Sequence, residues 1–223
     1  MNKVMLASSI ICANLLNLKK ELAELDKAKI DWIHFDVMDG VFVPRYGLHP
    51  EILTLIKSVT KIPVDVHLMV TNPDPYIAEF ADAGADLITV HYETCPNLHQ
   101  TIRLIKEKGV KAGVVINPAT TVESLKYVLP DIDCVVVMAI NPGIVGHKLI
   151  PSMIDKIADL KEMVKDRPDF LIEVDGGVSF ESGPWMRDAG ANLLVCGTSS
   201  IYREASVPVR VKEFRKILKS KKS

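Results

Sequence analysis

Two histidines and two aspartates sit in short apolar stretches at a spacing that points them to one face of an extended chain. The run Trp32-Ile33-His34-Phe35-Asp36-Val37-Met38 carries an imidazole, a carboxylate and a thioether at alternate positions. Val64-Asp65-Val66-His67-Leu68-Met69 repeats the His-x-Met part, and Glu173-Val174-Asp175-Gly176-Gly177 ends a third stretch in a carboxylate and two glycines. In a β-strand residues i and i+2 share a face. Polar groups at the ends of buried strands are costly unless they bind something. Converging on one point, His34, Asp36, His67 and Asp175 would make a divalent metal site.

Such convergence needs a scaffold that brings distant strands together. Strands are predicted at Val4–Ser9, Trp32–Met38, Val64–Met69, Leu87–His91, Lys111–Ile116, Cys134–Ala139, Leu171–Val174 and Leu193–Cys196. Helical periodicity fills the gaps, over Leu16–Ala28, Pro50–Thr60, Pro75–Ala83, Leu98–Lys108, Val122–Val128, Ser152–Asp166, Gly183–Ala189 and Pro208–Lys219. Near-continuous Val/Ile/Leu strands separated by crossover helices indicate a parallel sheet covered on both faces. Eight such units point to an α/β fold, a single (β/α)8 TIM barrel over residues 1–223. A doubly wound open sheet would usually have fewer strands and a glycine-rich first turn, which is absent.

Barrel sites lie at the C-terminal ends of the strands. Ser9, His34, Asp36, His67, His91, Asn117 and Asp175 all fall there. Glycine-containing loops follow the last three strands: Asn141-Pro142-Gly143-Ile144-Val145-Gly146, Asp175-Gly176-Gly177 and Gly197-Thr198-Ser199-Ser200. Loops in this part of a barrel commonly cradle phosphate with backbone N–H groups, and glycine admits close approach. Met38, Met69 and Met138 fall near strand ends, either as core filling or as an apolar collar over a reactive centre.

Composition narrows the partners. The 223 residues carry 27 Lys plus Arg against 28 Asp plus Glu, a net charge of −1, which gives no reason to expect nucleic acid or an anionic membrane. No stretch approaches ~18 consecutive apolar residues. Met1–Ala7 reads as the start of a strand rather than a leader, and the Lys-rich end from Lys216 as a solvated or frayed helix end. Cys12, Cys95, Cys134 and Cys196 lack C-x-x-C spacing and read as buried thiols of a reducing, cytoplasmic compartment.

At the chemistry-bearing residues the chain resembles the ribulose-phosphate 3-epimerase family. The matching motifs are Ser9-Ile10, His34-Phe35-Asp36-Val37-Met38-Asp39-Gly40, Phe42-Val43-Pro44, Asp65-Val66-His67-Leu68-Met69-Val70, Asn117-Pro118-Ala119-Thr120, Val137-Met138, Asn141-Pro142-Gly143, Glu173-Val174-Asp175-Gly176-Gly177 and Gly197. The resemblance implies a metal-dependent ketose-phosphate 3-epimerase acting on ribulose 5-phosphate and xylulose 5-phosphate. One divalent ion would be held by His34, Asp36, His67 and Asp175, with zinc first and iron, manganese or cobalt also fitting. It further implies Asp36 and Asp175 as the acid/base pair and Ser9 and His67 as substrate contacts. Gly143, Ile144, Val145, Gly146, Gly176, Gly177, Gly197 and Thr198 would form the phosphate site of a homo-oligomer. Cys12, Leu15-Leu16, His91-x-Glu93-Thr94 and Gly197-Thr198-Ser199 look more like the allulose-6-phosphate 3-epimerase branch. Arg45, in a loop that departs from the family pattern, adds a positive charge near the mouth. A sugar-phosphate binder without catalysis would want a broken Asp36/Asp175 pair. An aldolase or decarboxylase would want a lysine at a strand end, and none is found there.

Overall fold

Strands rich in Val, Ile and Leu must bury both faces, and here they do so by closing on themselves. The computed structural model describes residues 4–143, 148–203 and 205–220. Strands β1 (Met5–Ser9), β2 (Trp32–Met38), β3 (Val64–Met69), β4 (Leu87–His91), β5 (Lys111–Ile116), β6 (Cys134–Met138), β7 (Leu171–Asp175) and β8 (Leu193–Cys196) pair in sequence order, and β8 returns to β1. Every pairing is parallel, giving a single (β/α)8 TIM barrel. Its outer layer holds α1 (Leu18–Ala28), α2 (Pro50–Val59), α3 (Asp74–Asp82), α4 (Leu98–Glu107), α5 (Met153–Met163), α6 (Ser182–Ala189) and α7 (Val207–Lys219).

The helix expected over Val122–Val128 does not form. Two 3-10 turns, Val122–Leu125 and Leu129–Asp131, connect β5 to β6 instead. Pro130 supplies no N–H and disfavours α geometry at Leu129, so the segment cannot propagate an α ladder. Arg167 ties down the end of the second turn, donating to Leu129 O at 2.5 Å and to Ile132 O at 2.7 Å. At the far end α7 reaches Lys219, so Lys216 is helical; Lys221 and Lys222 lie outside the described residues.

Side-chain alternation builds two cores. Ile33, Phe35, Val66, Ile88 and Phe214 belong to the layer between sheet and helices. Trp32, Leu87, Val115, Val136, Leu171 and Leu193 pack together inside the barrel. Inside, the side chains stack in levels. Register sets His34 beside Asp65, Asp36 beside His67 and Met38 beside Met69 on β2 and β3. On β7, Glu173 and then Asp175 climb in the same direction, level with Val136 and Met138 of β6. An apolar floor thus carries a charged middle, and Met38 and Met69 lie above it.

Candidate active site

The charged middle holds the four residues expected from spacing. His34 Nε2 lies 3.2 Å from His67 Nδ1, 3.3 Å from Asp36 Oδ1 and 3.9 Å from Asp175 Oδ2. His67 Nδ1 lies 3.7 Å from Asp36 Oδ1 and 3.8 Å from Asp175 Oδ2. Four donors about 2.1 Å from a common cation at tetrahedral angles stand about 3.4 Å apart, so these separations fit one divalent ion. Two nitrogens and two carboxylate oxygens are also the right chemistry for it.

Asp36 and His34 are held from behind. Ser9 Oγ donates to Asp36 Oδ2 at 2.8 Å. His34 Nδ1 meets Asp65 Oδ2 at 2.7 Å and Glu173 Oε1 at 3.1 Å, which leaves its Nε2 free to face the centre. Carboxylates bonded to the outer nitrogen fix the orientation and tautomer of a ligating histidine. Asp65 and Glu173, both without accessible surface, were not singled out by sequence. Their signal was the same i, i+2 spacing, Asp65 with His67 and Glu173 with Asp175.

Burial and neighbouring charge split the acids. Burial opposes ionisation of Asp36, but His34 and His67 outweigh it and hold its carboxyl far below the usual range. Burial pushes Asp175 up, and the negative charge of Asp36 adds to the rise against the pull of His34. Burial, with Asp65 close by, pushes Glu173 up to about 8. Burial disfavours the charged form of His34, yet Asp36, Asp65 and Glu173 raise it well above its ordinary range.

His34 of metal-stripped protein therefore carries a proton at neutral pH that a cation at Nε2 must expel. Uptake of a divalent ion at pH 7 will release on the order of one proton per site, and affinity will climb with pH until His34 titrates by itself. Calorimetry in two buffers of different ionisation enthalpy measures this; identical heats in both would refute it.

Above the four donors opens a cavity of about 720 Å³. Ser9, Asp36 and Asp175 line it, whereas His34 and His67 have no accessible surface. His67, expected also as a substrate contact, thus touches the centre only through Nδ1. Met38, Met69 and Met138 line the cavity and are also buried in apolar clusters, so they fill the core as well as face the site. Gly143, Gly176, Gly177, Gly197 and Thr198 also line it, as do Arg45 and Lys148. Ile144, Val145 and Gly146 lie outside the described residues. Gly176 (φ +93°) and Gly177 (φ +64°) need a left-handed backbone, and a Cβ on Gly176 would come within 2.3 Å of Ile140. Their presence lets the chain turn directly beneath the cavity wall.

Comparison with known proteins gives the chain a family. A profile of the ribulose-phosphate 3 epimerase family matches residues 5–202. The chain belongs to the ribulose-phosphate 3 epimerase family. Within this epimerase family, it is 48% identical over 214 residues to a ribulose-phosphate 3-epimerase of Bacillus subtilis, covering 95% of this chain and 98% of that one. A ribulose-phosphate 3-epimerase of Synechocystis is 43% identical over 214 residues, 93% of each chain. Among solved structures, the 3-keto-L-gulonate-6-phosphate decarboxylase of Vibrio cholerae superposes with a TM-score of 0.73 over 98% of both chains. Its 13% identity makes the likeness one of fold alone. No helix among the described residues is long and apolar enough to cross a membrane.

Proposed function

We propose that this member of the epimerase family interconverts D-ribulose 5-phosphate and D-xylulose 5-phosphate by moving a proton at C3. One observation carries the reading: Asp36 and Asp175 both line the same cavity, their oxygens in one cluster, with His34 and His67 drawing the first down and burial pushing the second up. Pairs of acids driven apart in this way divide the roles of base and acid. Asp36 takes the C3 proton from one face, Asp175 returns one from the other, and the reverse reaction exchanges the roles. His34, Asp36, His67 and Asp175 would hold the divalent cation. Its chemistry, when bound, is polarisation of the C2 carbonyl and stabilisation of negative charge, which contributes several kcal/mol.

Around that pair the chain binds and shields. Ser9 keeps Asp36 aimed through its 2.8 Å hydrogen bond and lies within reach of the sugar. The methionine collar keeps water from the carbanion. Gly143, Ile144, Val145, Gly146, Gly176, Gly177, Gly197 and Thr198 form the phosphate site in this proposal, with Arg45 and Lys148 adding positive charge. Zinc is the proposed ion, since two imidazoles and two carboxylates suit it. Iron, manganese and cobalt share the donor preference, so elemental analysis of chelator-free protein decides. A homo-oligomer belongs to the same proposal, tested by light scattering. So does a cytoplasmic location, in keeping with cysteines that form no disulfide among the described residues.

The allulose 6-phosphate alternative is not favoured: the similar proteins cited above are ribulose-phosphate 3-epimerases. A side-by-side measurement of kcat/KM is expected to favour ribulose 5-phosphate. A preference above about tenfold for allulose 6-phosphate, about 1.4 kcal/mol in transition-state binding, would overturn the substrate assignment.

A further inference from the structure

One polar string leaves the site in a direction that the acid/base pair does not use. His67 Nε2, on the side of the ring away from the cluster, lies 2.9 Å from Nε2 of His91. His91 Nδ1 lies 3.2 Å from Glu93 Oε2. Glu93 Oε1 accepts hydrogen bonds from the Asn117 N–H at 2.9 Å and from the Thr120 hydroxyl. Lys156 of α5 clamps that loop, donating to the carbonyls of Asn117 at 3.0 Å, Pro118 at 2.7 Å and Thr120 at 2.8 Å.

The geometry of the first link fixes its character. The His67 and His91 rings lie within 22° of coplanar with centroids 5.0 Å apart. With the two nitrogens only 2.9 Å apart, the rings meet edge to edge along an N–H direction rather than face to face. Neither ring has accessible surface, and Phe42 packs against His91 with centroids 4.7 Å apart. Water therefore has no access to this bond. At 2.9 Å the two facing nitrogens share one hydrogen bond, so one of them donates and the other accepts. Hydrogen bonds from His91, Thr120 and Asn117 overcome burial and carry Glu93 down to about 2, so it is a carboxylate that only accepts.

These constraints leave one arrangement of protons. Glu93 requires the His91 proton on Nδ1, so His91 Nε2 is a bare acceptor. The proton between the rings then belongs to His67 Nε2, and His67 Nδ1 carries a lone pair toward Asp36 and Asp175. We propose that His91 and Glu93 are positioning residues, holding His67 as its Nε2–H tautomer with Nδ1 open to a divalent cation. The proposal rests on the reading of the four-residue cluster as a metal centre.

Outer partners of ligating histidines typically set metal affinity by about 10–100-fold. Metal-stripped protein titrated with Co2+, followed by its visible absorption, measures the effect. His91→Phe keeps a ring but removes the acceptor, and is expected to bind Co2+ about 10–100-fold more weakly. His91→Gln places an amide oxygen toward His67 and an amide N–H toward Glu93, and is expected to recover most of that loss. A ring needed only for packing would not be rescued by Gln. Unchanged affinity in His91→Phe, or a His91→Gln variant as weak as His91→Phe, overturns the proposal. Nitrogen-15 NMR of zinc-loaded wild-type protein reads the tautomers whether or not the variants fold. Protons are expected on His67 Nε2 and His91 Nδ1, and a proton on His91 Nε2 overturns the assignment. Wild-type protein that takes up no Co2+ sinks the metal-centre reading and this proposal with it, a result distinct from binding that the variants leave unchanged.

Discussion

Asp36→Asn and Asp175→Asn will each lower epimerisation by about 10²–10⁴-fold, the range expected for loss of a positioned acid or base. The more telling result lies in which proton each variant still exchanges. Both aspartates line one cavity, and their oxygens belong to a cluster whose donor atoms all lie within 4.8 Å of one another. If they serve opposite faces of C3, each variant retains one working carboxylate. That carboxylate can still remove a proton from one epimer and return a solvent-derived one to the same face. In heavy water, Asp175→Asn should label C3 of one sugar phosphate, and Asp36→Asn should label the other. Neither should convert one into the other at an appreciable rate. Mass spectrometry of the separated sugars checks this. Retention of a tenth of wild-type turnover in either variant, or exchange on the same epimer in both, would remove the two-carboxylate assignment. Asn keeps a carbonyl oxygen of the same reach, and metal content measured alongside separates loss of the ion from loss of the proton carrier.

Much of this site was legible because its spacing is local. His34 with Asp36, and His67 on the next strand, announce a shared face by alternation alone, and the parallel register of β2 and β3 sets Asp36 beside His67. Alternation says nothing about depth, however. Trp32 and His34 share a face, yet one belongs to the apolar floor and the other to the charged middle. Glu173 reaches His34 across the barrel interior from β7, a contact between strands that are not neighbours. Only closure of the barrel creates it, so no local pattern shows it. Glu93 is a milder case: it reaches a loop 24 residues away, after the neighbouring strand β5. The missed helix between β5 and β6 had the opposite origin: apolar spacing over Val122–Val128 was real, but the segment forms 3-10 turns that run into Pro130. Ile144, Val145 and Gly146 stay where the sequence placed them, as proposals, because they lie outside the described residues.

His34→Phe will destabilise the fold by about 3–5 kcal/mol, the cost of leaving a buried ionic partner uncompensated. For a chain of this size that is a drop on the order of 6–20 °C in Tm. The reason is the number of acids around one imidazole. Asp65 and Glu173, without accessible surface, both bond its Nδ1, and Asp36 and Asp175 face its Nε2. Phenylalanine fills the volume but offers no proton to Asp65. His34→Asn separates the two duties: its amide N–H takes the position of Nδ1–H toward Asp65, but no donor remains for the cation. It should therefore recover much of the stability while still failing to bind metal. Glu173→Gln should cost less than about 1 kcal/mol at pH 7, since a carboxyl held protonated to about 8 already behaves as a neutral group. The pH dependence has a defined sign. A folded pKa raised from 4.5 to about 8 gives Glu173 a favourable contribution that is complete below 4.5 and lost as pH rises through about 8. Wild-type protein should thus lose stability over that window, and Glu173→Gln should lose less. Urea unfolding at pH 5 and pH 8 measures both slopes. Parallel slopes would show that Glu173 is ionised beneath the site and that His34 balances two buried charges rather than one.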